Sequence, residues 1–267
     1  MATVSQKPRG ILNPALGKKN FHLTLTPPAP DLASFIEYYW IIEWDLRGEA
    51  PFVSENLPHP CVHLVFEPDY AYVYGVVNGK FVYQLEGEGR VFGVKFKPAA
   101  FYPFCHTPIA NLTNKRLSLS TTFGMDCASF EAHMHSLTET SARVDCMEQF
   151  LRARQPEMDD AIALINAMVD CIRDERTIKR VDDLLPLFNL SKRTLQRLFN
   201  QYVGVHPKWV IQRYRLVDAV DLLALGERVD WSALAQELGY FDQAHFIKDF
   251  KALIGKTPAE YVRQITA

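Results

Sequence analysis

The segment WSALAQELGYFDQAHFIKDFKALIGKTPAEYVR, from Trp231 to Arg263, carries the clearest structural signal in this 267-residue chain. It opens with a short apolar stripe at helical spacing, formed by Leu234, Ala235 and Leu238. Gly239 then supplies the left-handed conformation that commonly ends a helix. Asp242 follows as the predicted N-cap of a second helix, whose core-facing residues are Phe246 and Phe250. Two short helices separated by a tight turn predict a helix-turn-helix unit.

A second copy of this pattern lies upstream, in the segment VDDLLPLFNLSKRTLQRLFNQYVGVHPKWVIQRYR from Val181 to Arg215. Ser191 is its predicted N-cap. The apolar residues of its two helices are Leu184, Leu185, Phe188, Leu195, Leu198 and Phe199. Both copies continue with an aromatic helix end, a glycine, a proline and another aromatic residue: Phe199, Gly204, Pro207 and Trp209, then Phe250, Gly255, Pro258 and Tyr261. This repetition indicates two tandem units of one kind.

These residues resemble the AraC/XylS family of bacterial transcription regulators. The GYFDQAHFIKDFK core and the GKTPAEY ending of the second copy are similar to the family signature. The resemblance covers the chain from about Thr177 to its C-terminus, and the segment from Phe92 to Gly124 is less specifically similar to the sensor domain of one subgroup. It implies a cupin-like barrel as sensor domain, a double-stranded DNA operator as partner, and a possible homodimer.

The exposed side chains of the two recognition helices are the predicted DNA contacts. Arginine pairs with guanine, and glutamine with adenine, through two hydrogen bonds each. The predicted DNA-binding residues are Lys192, Arg193, Thr194, Gln196 and Arg197 on the first helix and Gln243, Ala244, His245 and Lys248 on the second, which is expected to select bases more weakly. Phosphate contacts are predicted for Lys192, Lys208, Arg213 and Lys256. The alternative is that one or two of the residues on the first helix only contact phosphates or are solvated.

A long helix over residues 208–225 is predicted to join the two units rigidly. Its apolar residues face both cores and comprise Val210, Tyr214, Val217, Val220 and Leu223. Such a linker places the recognition helices about 34 Å apart, one turn of DNA, so that they enter successive major grooves. Charge agrees with this prediction, since residues 176–267 hold 14 Lys and Arg against 10 Asp and Glu, a balance of +4, while the first 175 residues carry −6. That balance supports DNA binding without establishing it.

The remaining chain predicts three parts, which makes the protein an α+β chain. Residues 1–20 form a flexible arm, which orders only against another surface, and an arm next to the sensor domain can cover the ligand mouth or touch the DNA domain. Residues 21–112 form a small antiparallel β-barrel or sandwich, in which Asn78-Gly79 predicts a type I′ hairpin. Residues 113–175 are helical, with a broad apolar face on the helix from Met158 to Ile172 that packs on the barrel or on a second subunit. Residues 176–267 form the DNA-binding domain.

Candidate effector-binding residues are Trp40, Trp44, His63, Tyr72 and Tyr74. Tyr38, Trp40, Ile42 and Trp44 share one strand face, which forms either core, the favoured interpretation, or the wall of an apolar pocket. His59, Cys61 and His63 also share a face. Because the opposite face, with Val62, Leu64 and Phe66, is taken as core, these three side chains are expected to point outward. Neither a metal site nor a catalytic site is predicted.

The composition and the N-terminus predict a cytoplasmic protein without a cofactor. The five cysteines are spread singly, as free thiols in a reducing compartment usually are. The predicted function is transcription regulation controlled by a small molecule, with RNA polymerase as a further partner if the protein activates and no membrane partner. One alternative is a metal-dependent cupin-type enzyme fused to a DNA-binding domain, which needs a His/Glu cluster facing a cavity. Another is a regulator whose barrel only mediates protein contacts.

Overall fold

The computed structural model describes residues 9–154, 159–224 and 230–266. An N-terminal antiparallel β-domain is followed by helices, which confirms the predicted α+β class. Most of the arm predicted over residues 1–20 can be followed, because only residues 1–8 of it lie outside the described part. The described part contains no helix long and apolar enough to cross a membrane.

The β-domain consists of two antiparallel sheets. Its strands are β1 (His22–Thr26), β2 (Ile36–Leu46), β3 (Phe52–Asn56), β4 (His63–Phe66), β5 (Ala71–Tyr74), β6 (Phe81–Leu85), β7 (Gly87–Phe96) and β8 (Arg116–Ser118). Six of them pair in the order β1-β2-β7-β4-β5-β8, and β3 pairs with β6. The antiparallel domain is thus as predicted, but among the described residues its hydrogen-bonded ladders stay open at β1 and β8 and do not close into a barrel.

The turn at Asn78-Gly79 differs from the predicted hairpin. The strands on its two sides do not pair with each other, because β5 pairs with β4 and β8 whereas β6 pairs with β3. The turn therefore carries the chain from one sheet to the other. Its backbone carbonyl groups are used by the DNA domain, as described below, which local sequence does not reveal.

Helices form the rest of the described chain. They are α1 (Pro14–Asn20), α2 (Tyr102–Cys105), α3 (Leu119–Phe123), α4 (Ala128–Ser136), α5 (Thr140–Arg152), α6 (Asp160–Asp174), α7 (Val181–Phe188), α8 (Lys192–Leu198), α9 (Pro207–Leu223), α10 (Trp231–Glu237), α11 (Gln243–Ile254) and α12 (Pro258–Thr266). A 3₁₀ turn covers Ile109–Asn111, and a π-helical turn over Phe199–Val203 extends α8.

The apolar face of α6 has a different partner from either one predicted. Ile165, Met168 and Ile172 are fully buried within the chain, where α6 packs against α9 and the π-helical turn of the DNA domain. Within the described chain, the DNA domain therefore covers much of this face, which neither predicted alternative included. Met158, the predicted start of the helix, lies outside the described residues.

Two hydrophobic cores meet along α9. The larger core joins the β-domain, α6 and the first helix-turn-helix unit, and includes Val210 and Tyr214 of α9. The smaller core belongs to the second unit and includes Val217, Val220 and Leu223. The predicted linker helix with residues in both cores is thereby confirmed, except that residue 225 lies outside the described range.

Candidate functional site

The two recognition helices, α8 and α11, begin at the predicted caps. Ser191 Oγ accepts a hydrogen bond from the Thr194 N–H group at 3.1 Å, and Asp242 Oδ1 accepts one from the His245 N–H group at 2.7 Å. Gly239 has φ +84°, so α10 ends at the left-handed residue that the sequence predicts. These local signals fix where each recognition helix starts and which side faces the core.

Most predicted base-reading residues are exposed. Those exposed are Lys192, Arg193, Gln196, Arg197, Ala244, His245 and Lys248, whereas Thr194 and Gln243 are half-buried. Several of these polar side chains have intramolecular partners that DNA would have to replace. Lys192 Nζ lies 3.2 Å from the Asp182 carboxylate, Gln243 Oε1 accepts from Ser232 Oγ at 3.1 Å, and His245 Nε2 lies 3.6 Å from Asp249.

The prediction that Arg213 contacts a phosphate is wrong in this structure. Lys208 is exposed and Lys256 is half-buried, but Arg213 is only 2% exposed. Its guanidinium donates to the backbone carbonyls of Asn78 at 3.1 Å and Gly79 at 3.0 Å, and lies over the Trp209 ring at 4.6 Å. Burial lowers the pKa of Arg213 to about 10. Arg213 therefore docks the linker helix on the β-domain, which its position in the chain did not indicate.

Phe241 is a residue that sequence reasoning missed. It is 90% exposed in the turn immediately before Asp242, the cap of α11. The sequence did contain a signal for it, because an aromatic residue at this position belongs to neither of the apolar faces of the two helices. Leu187, 59% exposed near the end of α7, is a comparable apolar side chain in the first unit.

A cavity of about 220 Å³ lies between the two sheets of the β-domain. Trp40, Trp44, His63 and Tyr74, four of the five predicted effector-binding residues, line it. Tyr72 does not; the Arg116 guanidinium lies over its ring at 4.9 Å. The aromatic face of β2 is therefore a pocket wall, which was the less favoured of the two interpretations.

Glycines on β7 let the indole rings lie flat along this wall. Trp40 is directly opposite Gly93 in the β2–β7 register, and Trp44 is opposite Gly89. A Cβ atom at Gly93 would come within 2.1 Å of the Trp40 ring, and one at Gly89 within 2.2 Å of the Trp44 ring. Any larger residue at either position would therefore require the indole to shift.

His59, Cys61 and His63 share one face as predicted, but that face points into the cavity and not outward. The outward prediction was wrong because β4 is covered on both sides: Leu64 and Phe66 face the helices while His63 faces the space between the sheets. His63 Nδ1 accepts from Trp40 Nε1 at 3.2 Å, so its Nε2 carries the proton and faces Cys61 Sγ at 3.4 Å. Within the described residues, no three His, Cys, Asp or Glu side chains converge as metal ligands.

Burial controls the protonation of these groups. It lowers the pKa of His63 to about 3, with the charge of Lys95 acting in the same direction, and it lowers that of His59 as well. Burial also raises the pKa of Cys61 to about 12. Both imidazoles and the thiol are therefore neutral at physiological pH.

Lys95, which the sequence did not single out, is the buried cation of the cavity. It is 4% exposed, and its ammonium group lies 3.1 Å from the Glu37 carboxylate and 3.3 Å from the Tyr38 hydroxyl. Burial acts to lower the pKa of Lys95, and the Glu37 carboxylate, 3.1 Å away, acts to raise it. The ammonium therefore stays charged and is balanced by Glu37.

The described part of the N-terminal arm links the cavity to the DNA domain. Arg9 and Ile11 line the cavity, and Arg9 forms ion pairs of 2.7 Å with both Asp218 and Asp221 of α9. Leu12 is buried in the core of the second helix-turn-helix unit. The arm thus occupies both positions that the sequence offered as alternatives.

Two family models match the chain, one over the helix-turn-helix units and one over the β-domain. Residues 186–264 match the model of a helix-turn-helix domain, which includes both capped recognition helices. This part of the chain is an AraC-type helix-turn-helix domain. Residues 24–118 match a second family model, described as a domain of unknown function, which covers the two sheets around the cavity.

Parts of the chain are similar to known regulators. An uncharacterized HTH-type transcriptional regulator of Haemophilus influenzae is 27% identical over 103 residues, which is 39% of this chain and 34% of that protein. The transcriptional regulatory protein HptR of Staphylococcus aureus is 26% identical over 120 residues, 45% of this chain and 46% of that protein. This chain thus spans about a third to a half of the length of these curated relatives. Among solved structures, ToxT of Vibrio cholerae O395 is similar over 93% of this chain and 99% of its own, with 12% identity and a TM-score of 0.41.

Proposed function

We propose that this protein is a sequence-specific DNA-binding transcription regulator of the AraC/XylS type, controlled by a small molecule bound between the two sheets. The observation that carries the proposal is the pair of capped recognition helices, α8 and α11, whose outer faces are polar and exposed. The 17-residue helix α9 joins their units. A rise of about 1.5 Å per residue makes such a helix roughly 25 Å long, which suits two units that reach successive grooves of one duplex.

Direct base reading is assigned to the exposed predicted residues other than the lysines, with Arg193, Gln196 and Arg197 as the main readers of the first unit. Phe241 is added to the reading surface of the second unit, because it lies at the start of α11 and an aromatic side chain there can contact a thymine methyl group. Lys192, Lys208 and Lys256 are assigned to phosphates, and Arg213 is withdrawn.

Control by an effector requires that the ligand bind one arrangement of the protein better than another. Contacts of His59 and Arg9 connect the cavity lining to α9. The His59 ring meets the Tyr214 ring at 5.8 Å between centroids, and Arg9 reaches Asp218 and Asp221. A ligand that displaces His59 or Arg9 therefore changes how α9 is held.

The test of DNA readout is selection of an operator from randomised duplex DNA, followed by binding titrations against every single-base variant of the selected site. Arg197→Ala is expected to lose about 1–3 kcal/mol at one base position and to relax specificity there. Lys208→Ala, the matched control on α9, is expected to weaken all sequences alike. Failure to select any sequence, or a uniform loss for Arg197→Ala, contradicts the proposal.

We infer further that the protein is cytoplasmic and not an enzyme, that RNA polymerase is a partner if it activates, and that a homodimer, if formed, uses a surface other than the buried face of α6. The regulators named above support the absence of a catalytic role. The alternative of a metal-dependent enzyme has less support, because the His59, Cys61 and His63 face meets the cavity without forming a convergent ligand set in the described residues. Metal analysis of the purified protein tests it, and a stoichiometric metal held by His59 and His63 would revive it.

A further inference from the structure

Glu67 is the acidic side chain of the cavity lining, and both sheets hold it. It follows β4 directly, on the face that His63 and Val65 present to the cavity. The Tyr74 hydroxyl on β5 donates to Oε1, and the Tyr83 hydroxyl on β6 donates to Oε2 at 3.1 Å. A carboxylate is thus fixed at the point where the six-stranded and two-stranded sheets approach each other.

Two of the residues that contact this carboxylate, Tyr74 and Tyr83, belong to a connected set of four aromatic rings. Tyr83 meets Trp44 edge-on at 6.5 Å between centroids and stacks with Phe81 at 6.5 Å, and Phe81 meets Tyr74 edge-on at 6.2 Å. All four rings line the cavity. Because ring faces carry partial negative charge, the rings and the carboxylate favour the same kind of ligand group.

The charge balance of the cavity also points to a cation. The two cationic side chains in the lining have carboxylate partners of their own, since Lys95 pairs with Glu37 and Arg9 pairs with Asp218 and Asp221. His59 and His63 are neutral because burial lowers the pKa of each. The hydrogen bonds described for Glu67 come from two neutral hydroxyls, and the nearby Arg116 lies over Tyr72, outside the lining. Among the described lining residues, therefore, no cation pairs with Glu67, and the charge of Arg116, which interacts with Tyr74 and Glu67, acts on it from outside the lining.

We propose that this cavity binds an organic cation with apolar substituents, of which a quaternary ammonium compound is the simplest kind, with its charge against Glu67 and inside the rings of Trp44, Tyr74, Phe81 and Tyr83. The inference rests on the proposed function only in taking this cation as the effector. An aromatic cage with a carboxylate is a known arrangement for such ligands, and a volume of about 220 Å³ restricts the ligand to a small molecule.

An anionic ligand is disfavoured at the other end of the cavity. An anion bound to Lys95 would have to displace or outcompete Glu37, 3.1 Å away, and so leave a carboxylate buried without its partner. Such an exchange is unfavourable in free energy unless the anion makes stronger contacts with Lys95 than Glu37 does.

The experiment uses the full chain and three probes of nearly equal shape: choline, its uncharged carbon analogue 3,3-dimethyl-1-butanol, and the anion 3,3-dimethylbutanoate. Binding is followed by tryptophan fluorescence, because Trp40 and Trp44 line the cavity, and is checked by calorimetry. Choline is expected to bind at least about tenfold more tightly than either analogue. Equal binding of choline and the alcohol, tighter binding of the anion, or no binding of choline at millimolar concentration overturns the proposal.

Variants assign the effect to the cage. Glu67→Gln keeps the shape of the side chain and removes its charge, so it is expected to weaken choline binding at least about tenfold and to leave binding of the alcohol unchanged. The matched control is Glu86→Gln, an exposed carboxylate just after β6 that does not line the cavity. Tyr83→Phe, which keeps the ring, serves as a second variant if Glu67→Gln does not fold. Choline binding that is unaffected by both cage variants contradicts the assignment.

Operator binding by the same proteins keeps the two proposals separate. Cation binding without any selected DNA sequence would refute the regulator proposal and leave the cation site in place. Operator binding without a preference for the cation would refute only the cation site.

Discussion

The two helix-turn-helix units share one sequence pattern but are attached to the rest of the molecule in different ways. The first unit belongs to the large core that also contains the β-domain, and its π-helical turn packs on the 3₁₀ turn Ile109–Asn111. The second unit has its own core, to which the described N-terminal part adds the buried residues Leu12 and Leu57. The first unit is therefore continuous with the sensor domain, whereas the second is joined to it through α9 and a narrow set of contacts.

This difference shows that a repeated motif determines local structure without determining what the unit is packed against. In the first unit, Thr113 Oγ1 donates to the Gly204 carbonyl at 2.7 Å, and the Tyr102 and Tyr202 rings lie 4.6 Å apart. The equivalent glycine of the second unit is Gly255. There the contact comes from the Lys80 side chain, whose Nζ lies 3.3 Å from the Ile254 carbonyl. We expect an effector to change the second unit's position relative to the first more easily than it moves the first.

The largest expected effect is at the point on α9 where the two units meet. Asp218 accepts hydrogen bonds from Arg215 at 2.6 Å and from Arg9 at 2.7 Å, and the Arg215 side chain is almost fully buried. Asp218→Asn leaves the Arg215 charge without its carboxylate, so we expect a loss of about 3 kcal/mol in the free energy of unfolding, measured by urea denaturation.

The control is Asp221→Asn, which removes the other, exposed partner of Arg9. A surface ion pair contributes about 0–1 kcal/mol. Equal losses for Asp218→Asn and Asp221→Asn would mean that the junction does not depend on the buried pair.

The next largest effect is a difference in stability between two matched glycine substitutions, one in each unit. Gly204 has φ +89° and Gly255 has φ +86°, so alanine meets similar backbone strain of about 1–2 kcal/mol at both. At Gly204 a Cβ atom would also lie 2.8 Å from Ile109, whereas at Gly255 the nearest atom is Lys80 Nζ at 3.7 Å. We expect Gly204→Ala to cost about 1–3 kcal/mol more in the free energy of unfolding than Gly255→Ala. Equal costs would remove the distinction between a tightly packed unit and a loosely attached one.

An effect of comparable size, measured on binding and not on stability, distinguishes the units at the DNA. Arg197→Ala on α8 is expected to lose about 1–3 kcal/mol at one base position, whereas Lys248→Ala on α11 is expected to lose less and to do so at every sequence. Titration of each variant against single-base changes in a selected operator measures both. A sharper specificity change for Lys248→Ala would reverse the assignment of the first unit as the main reader.

The smallest expected effect concerns Phe241. Its side chain is 90% exposed, so Phe241→Ala should leave the free energy of unfolding nearly unchanged and should weaken operator binding by about 1 kcal/mol or less. Replacing thymine by uracil at the contacted position removes the methyl group, and should weaken the wild type but not the variant. Leu187→Ala is the control in the first unit, since Leu187 is exposed but precedes α8 by several residues.

Sequence reasoning succeeded where the determining interactions are local. The caps at Ser191 and Asp242, the left-handed Gly239 and the two-sided helix α9 depend on neighbours a few residues away, so their residue types and spacing were sufficient. The shared face of the aromatic residues of β2 followed from strand periodicity in the same way.

Sequence reasoning failed where two distant parts of the chain meet. Arg213 looked like a phosphate contact because the carbonyl groups that bind it come from Asn78 and Gly79, about 135 positions earlier. The His63 face was expected outside because one strand cannot show that both of its faces are covered. Glu67 acquires its significance only when tyrosines from both sheets converge on it.

The first half of α9 lies in one core and its second half in another. A truncation that separates the two domains therefore disrupts the packing around this helix. A fragment that begins after α6 retains both recognition helices but removes the surface that covers Val210, Ile211 and Tyr214. It also leaves the Arg213 guanidinium without the two carbonyl groups that accept its hydrogen bonds. Such a fragment exposes an apolar patch around a formerly enclosed charge, so aggregation in that fragment reflects the missing sensor and carries no information on DNA affinity.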